Sequence, residues 1–270
     1  MHGLAAALYA GLAAHFWRTR WRGPALEQPA GGINRGERLI LLAALVGHGL
    51  SLRQEIFQGD AMRFSFAIAL SVMLWLAIAL YWVESFYARM EGLQVIGLPL
   101  AALAVVLPAM FPDAHRLANA GSFVFRTHLL MAMLAYSLFT LAAMHATLMA
   151  VAEKGLHRGR ISPFLAGLPP LLTMEALLFR LIHVAFALLT LTLVSGIVFS
   201  ETLFGKAFTF NHKTVFAILS WLIFAALLYG RHRHGWRGRL ALRWTLAGFM
   251  ALLLAYVGSR FVLEVLLGRG

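Results

Sequence analysis

The chain has 270 residues, of which 61% are apolar and 13% charged, with a mean hydropathy of +0.78. That leaves too little polar side chain to cover a water-soluble globule of this size, so the composition excludes a soluble fold and dictates a membrane protein. The formal charge of +12 is scattered over the flanks of apolar runs rather than gathered in one patch, which argues against nucleic-acid binding, and the lack of cysteine excludes disulfides and thiolate metal sites.

A helix needs about 20 apolar residues to cross a hydrocarbon core. Eight runs meet that need, near 2–17, 37–53, 64–84, 93–111, 126–152, 174–200, 213–230 and 242–267. The expected fold is all-α: one polytopic transmembrane domain over 1–270 with about eight helices. A β-barrel is excluded because its strands read as alternating segments of about 10 residues, not continuous apolar runs. Of the 23 Lys and Arg residues, thirteen fall on one side of the helices and seven on the other. By the positive-inside rule this places both termini outside. The first run starts at once and its arginines, Arg18, Arg20 and Arg22, follow it, so it reads as a retained helix anchored at the cytoplasmic face rather than a cleaved signal.

Taken in order, the second run carries His48 between Gly47 and Gly49, which let a backbone or a flat ligand approach. An imidazole at membrane depth suggests either function or a hydrogen bond to a neighbouring helix, and both readings stand. The third run holds Trp75, Tyr81 and Trp82, the last two at interfacial depth, where an aromatic belt accounts for them. Pro99 and Pro108 should kink the fourth, and the loop with His115 and Arg116 reads as a solvated connection. The fifth run opens with Arg126 and His128 at its outer end, and Tyr136 lies eight residues on, near the same face. His145 is about 25 Å deeper at 1.5 Å per residue, too far to share a ligand with His128. Arg180 and His183 share a face of the sixth run. Arg180 is expected to snorkel or pair with Glu175, and His183 either joins His145 in an inner site or packs through a hydrogen bond. The basic stretch Arg231–Arg243 suits topology and anionic-lipid contact.

The most informative segment joins the sixth and seventh runs. It reads Phe204-Gly205, then Phe208-Thr209-Phe210-Asn211-His212-Lys213-Thr214-Val215-Phe216, then Trp221-Leu222-Ile223-Phe224. From Ser195 to Phe224 it resembles, without a gap, the haem-handling segment of the cytochrome c assembly family (CcsA, CcmC and CcmF proteins). There the motif runs Trp-Gly, then Trp-x-Trp-Asp-Pro-Lys-Glu-Thr-Trp, then an apolar helix with Trp-Leu-Ile-Phe. Each motif tryptophan before that helix is phenylalanine here, and the aspartate is Asn211. Upstream, THLLMAMLAYSLFTLAA is similar to the family helix that opens with a haem-ligating histidine, which maps that ligand to His128. The family's second outer histidine, near the end of the last helix, has no counterpart in GSRFVLEVLLG. The resemblance covers about residues 120–267 well and residues 1–112 by topology, and is nearest to the YpjD-like branch of inner-membrane proteins, alongside HemX-like proteins.

The resemblance implies a haem-binding protein of the bacterial cytoplasmic (inner) membrane, acting in haem delivery, transfer or supply for cytochrome c assembly, with haem b as cofactor. It implies axial ligation by His128 and, in place of the missing residue, His212, with His48 as the alternative. Phe204, Phe208, Phe210, Phe216 and Trp221 would form the porphyrin platform, and Arg126, Lys206 and Lys213 would face the propionates. The expected partners are lipid, haem and cytochrome c assembly or haem-metabolism proteins. No nucleophile, base and oxyanion set can be assembled, so no enzymatic activity is expected. Two other readings stand: a small-molecule or ion transporter or accessory subunit with His48, His145, Arg180 and His183 along its path, and a scaffold whose degenerate motif is empty. Reporter fusions are expected to place residues near 25, 160 and 235 in the cytoplasm and residues near 118 and 208 outside; an inward signal at 208 would contradict the outer-face site.

Overall fold

The computed structural model describes residues 1–21, 32–58, 61–88, 90, 92–112, 115–116, 121–157, 168–200 and 212–266. Among the described residues eight long helical elements follow one another: α1 (His2–Phe16), α2 (Arg35–Ile56), α3 (Phe66–Glu84), α4 (Leu93–Met110), α5 (Phe123–His157), α6 (Leu171–Val198), α7 (His212–His234) and α8 (Gly238–Leu253). Seven are long and apolar enough to cross a membrane, with α8 counted through to Phe261. The eighth, α1, has 15 α-helical residues and continues as a π-helical turn, Trp17–Trp21, where the two tryptophans stack at 5.4 Å. An all-α polytopic membrane protein is therefore what these apolar runs build.

The first four helices pack together. α1 and α2 run antiparallel along a seam where His2, Tyr9 and His15 of α1 meet Glu55, His48 and Glu37 of α2 in turn. His2 Nε2 meets Glu55 Oε1 at 3.2 Å at one end, and the Tyr9 ring stands edge-on to His48 at 5.8 Å in the middle. At the other end Glu37 ties the pair. One of its oxygens closes a capping box with Asn34 and takes Arg20 at 2.9 Å, and the other takes His15 at 3.0 Å. α3 is locked to α2 by two indoles: Trp75 Nε1 donates to the Leu45 carbonyl at 2.8 Å and Trp82 Nε1 to the Arg38 carbonyl at 3.2 Å. Tyr81 is buried. The aromatic belt expected at Tyr81 and Trp82 is thus a packing device, because an indole N–H turned into the protein satisfies a helix carbonyl that lipid cannot.

The remaining four helices gather round α5, whose 35 residues are buried over most of Ala132–Met149. Its broadest neighbours are α6, α3 and α8. The core is centred on Phe139 of α5 and Phe224 of α7, stacked at 3.9 Å and fully buried. Gly248 of α8 makes room for Phe224: a Cβ there would lie 2.8 Å from the ring. Gly235 and Gly238 have positive φ, the conformation the tight α7–α8 turn requires.

One end of the bundle is basic. There Arg231 and Arg237 meet Glu175, and Arg239 meets Glu153 at 2.9 Å. Glu175 is thus paired with α7 and the α7–α8 turn, while Arg180, expected as its partner, lies on the exposed side of α6. At the opposite end a short antiparallel ribbon, β1 (Phe57–Gln58), β2 (Ala61–Phe64) and β3 (His115–Arg116), links the α2–α3 and α4–α5 connections. His115, read from sequence as part of a solvated connection, pairs through its backbone with Phe64.

A buried polar pair joins the two groups of helices: Glu84, the last residue of α3, accepts or shares a hydrogen at 3.1 Å with His145 Nε2 of α5, and both side chains are almost fully buried. Two stability outcomes are expected in detergent-solubilised protein. His145→Ala, which strands the Glu84 carboxyl, should cost about 3–5 kcal/mol in denaturant unfolding, and the double change Glu84→Leu with His145→Leu should recover most of it; a single variant as stable as the parent would contradict the pair's role. Gly248→Ala should cost about 1–3 kcal/mol through overpacking against Phe224 despite its helix-propensity gain. Gly11→Ala, where nothing lies within 4 Å, should not lower the melting temperature.

Candidate functional site

At the ribbon end, α5 begins, α6 ends and α7 begins. His128 lies five residues into α5, and its Nδ1 is 2.8 Å from the Oγ of Ser195, three residues from the end of α6. The ring is half-buried, and the α6 backbone passes beside it, so that a Cβ on Gly196 would sit 3.5 Å from His128 Cε1. Ser195 Oγ also donates to the Thr192 carbonyl at 3.1 Å. A serine has one proton to give. With that proton on the Thr192 carbonyl, the Ser195 oxygen accepts in the tautomer of His128 that carries its hydrogen on Nδ1 and has Nε2 unprotonated. That is the nitrogen a metal ligand needs, farther from the backbone and with its partner nitrogen held by a second group. The residues present therefore fit an axial ligand for haem iron at His128.

Other sequence-derived residues fall as follows. His212 is the first residue of α7 and is exposed; Lys213 beside it and Phe216 one turn on are half-buried. Arg126 is exposed in the first turn of α5. Phe204, Lys206, Phe208 and Phe210 lie outside the described residues. Trp221 is stitched to α6: its Nε1 donates to Thr190 Oγ1 at 2.9 Å and its ring stacks on Phe186 at 5.5 Å. Tyr136, two turns inward from His128, is buried in the core.

The alternative ligand, His48, is fully buried among α1, α2 and α3. Its Nε2 is 2.9 Å from Ser71 Oγ, and the Tyr9 ring closes one side. The four residues of the transport reading do not line one path. His48 belongs to the α1–α3 group and His145 pairs with Glu84, whereas Arg180 and His183 are exposed on the outside of α6, with His183 Nδ1 bonded to the Phe179 carbonyl of its own helix at 2.6 Å. Among the described residues no cluster of three or more His, Asp or Glu side chains could hold a bare metal ion.

Sequence reasoning missed Ser195 as the partner of His128, Thr190 as the partner of Trp221 and Glu84 as the partner of His145. The first two could have been found, since hydroxyl residues at 190, 192 and 195 punctuate an otherwise apolar helix where lone polar side chains demand partners. Glu84 gave no such signal, because its place at a helix end reads as interfacial.

The chain is 28% identical over 249 residues to the inner membrane protein YpjD of Escherichia coli strain K12, covering 90% of this chain and 92% of that one. An uncharacterised 28.8 kDa protein of Azospirillum brasilense is 33% identical over 143 residues, 52% of each chain. The cytochrome c biogenesis protein CcsA of Prochlorococcus marinus strain AS9601 is 37% identical over 89 residues, 33% of this chain and 29% of CcsA. No solved structure matches. With its apolar helices, the chain is a multi-pass protein of the cytoplasmic membrane, similar to YpjD. A family model described as cytochrome C assembly protein matches residues 37–267, and the chain belongs to that family.

Proposed function

We propose that this protein binds haem b at the ribbon end of α5, α6 and α7, on the outer side of the membrane, and serves haem delivery or the control of haem supply rather than catalysis. The observation that carries the reading is His128: it stands half-buried near the start of α5, with Nδ1 2.8 Å from Ser195 Oγ, at the end of the bundle where α6 ends and α7 begins. Haem supplies an iron that takes nitrogen ligands on both faces of a flat apolar ring with two anionic propionates. Each need has an answer in this chain. His212 enters α7 from the same end and is exposed, which suits it as second axial ligand. Phe216 and the phenylalanines at 204, 208 and 210 provide apolar surface of the kind a porphyrin covers, and Arg126, Lys206 and Lys213 offer cations for the propionates.

His48 is the weaker second ligand, because its Nε2 is occupied by Ser71 and Tyr9 abuts its ring in the interior. The orientation rests on charge: the arginine-rich end of α7 and α8 belongs in the cytoplasm, which puts His128 outside. Partners in this reading are haem itself and the proteins that give or receive it during cytochrome c assembly. CcsA is by name a cytochrome c biogenesis protein, and its similarity to part of this chain, together with the family match, supports the same use here.

Protein purified from haem-replete cells should show a Soret band and a low-spin spectrum. His128→Ala and His212→Ala should each convert it toward five-coordinate or haem-free protein, with partial recovery on adding imidazole, whereas His183→Ala and His115→Ala should leave it unchanged. A native low-spin spectrum in His212→Ala together with its loss in His48→Ala would move the second ligand to α2; an unchanged spectrum in His128→Ala would overturn the site.

A further inference from the structure

We infer that the outward face of α6 is a docking surface for a transmembrane helix of a different protein, one that sets a carboxylate against Arg180. The inference stands apart from the haem reading. α6 is the least covered of the seven spans, and Ala176, Arg180, His183, Ala187, Leu191 and Val194 are all exposed along it. Spaced three or four residues apart, they form one stripe about 27 Å long. A stripe with that spacing is the seam along which a second helix packs at a shallow left-handed angle.

Its apolar members suit lipid equally well, so the two polar residues decide the matter. Glu175 meets Arg231 and Arg237 at the basic end, which marks the level of the membrane interface on α6. Arg180 is five residues deeper, about 7.5 Å, and His183 eight residues deeper, about 12 Å. Ionisable side chains at such depth almost always face the bundle interior or a water-filled cavity, because lipid leaves them unsatisfied. These two face outward. Arg180 has no hydrogen bond or ion pair among the described residues. Snorkelling brings a lone arginine to the headgroups, but it does nothing for His183. That ring spends Nδ1 on the Phe179 carbonyl at 2.6 Å. A carbonyl only accepts, so the hydrogen lies on Nδ1 and Nε2 of the neutral ring is left an acceptor. The face thus offers guanidinium donors and, one turn deeper, an acceptor.

Charge selects the occupant. A second copy meeting the same face about a twofold axis would set Arg180 against Arg180. Nor does this chain have a described carboxylate to spare. Glu37, Glu55, Glu84, Glu153 and Glu175, the glutamates with described side chains, are each paired within the chain. What fits is a foreign helix with Asp or Glu opposite Arg180 and a hydroxyl, amide or indole donor opposite His183. Away from water such an ion pair is much stronger than at an aqueous surface, and it sets the depth at which the two helices meet.

The test replaces Ala187 of the full-length chain with a photoreactive amino acid, irradiates membranes of the native host, and maps the crosslinked site by mass spectrometry. The expected product joins this position to a membrane-spanning segment of another protein that carries Asp or Glu about two turns nearer the cytoplasm. Arg180→Glu should abolish the product and Arg180→Lys should keep it. Arg180→Gln, which removes the charge without reversing it, should lose it too, so the result does not hang on one variant. Exchanging the partner's carboxylate for arginine should restore the product in Arg180→Glu. Capture alone does not support the inference; the charge exchange does. Crosslinks to lipid only, to a second copy or to a segment without a carboxylate overturn it, as does a product that survives Arg180→Glu or that the exchange fails to restore.

Discussion

Inside a hydrocarbon layer a polar atom has no water to turn to, and the histidines among the described residues show how the fold answers that constraint. His2 and His15 sit at opposite ends of α1, each against a glutamate of α2. Deeper in, His145 reaches a carboxyl on another helix and His48 a serine hydroxyl. His183, on the outward surface of α6, turns back to a carbonyl of its own helix. His128 differs in setting: it is half-buried at the bundle's end, where α5 begins beside the last turn of α6, with Nδ1 2.8 Å from Ser195 Oγ.

The rest of the fold supports that edge. α5 is the central helix, held by the Phe139–Phe224 stack and by Gly248 behind it, so its start is positioned by a rigid core rather than by the loops around it. α6 is bound to α5 at His128 and to α7 at Trp221, and the basic end of α6 is fixed through Glu175 to Arg231. Three helix ends are thereby brought together on one face. The first four helices reach this unit chiefly through α3, where Glu84 and His145 meet, which makes that buried pair the polar hinge point between the halves.

Much of this was legible in the sequence because membrane helices announce themselves by length and hydropathy, and the expected runs fall within a few residues of the helices observed. His128 also stands out in the sequence, through its place at the start of a run and the family likeness around it, and the structure sets it against Ser195. What escaped was partnership. Trp82 reads as a belt residue until its N–H is seen to meet the Arg38 carbonyl, and Arg180 reads as the partner of Glu175 until Arg231 is found there instead. Sequence gives a helix's content, but the rotation that decides which neighbours its polar atoms meet comes from packing several helices at once. The phenylalanines at 204, 208 and 210 lie outside the described residues, so their part in the site rests on the family likeness alone.

The central claim is that His128 presents Nε2 to haem iron at the outer end of α5, α6 and α7. Electron cryomicroscopy of protein purified from haem-supplemented cells addresses it most directly. The account predicts planar density capped on one face by His128 Nε2, with Ser195 still against Nδ1 and the arginine-rich end of the bundle on the far side of the membrane. Planar density seated against His48 or His145, with His128 turned away from it, would contradict the account.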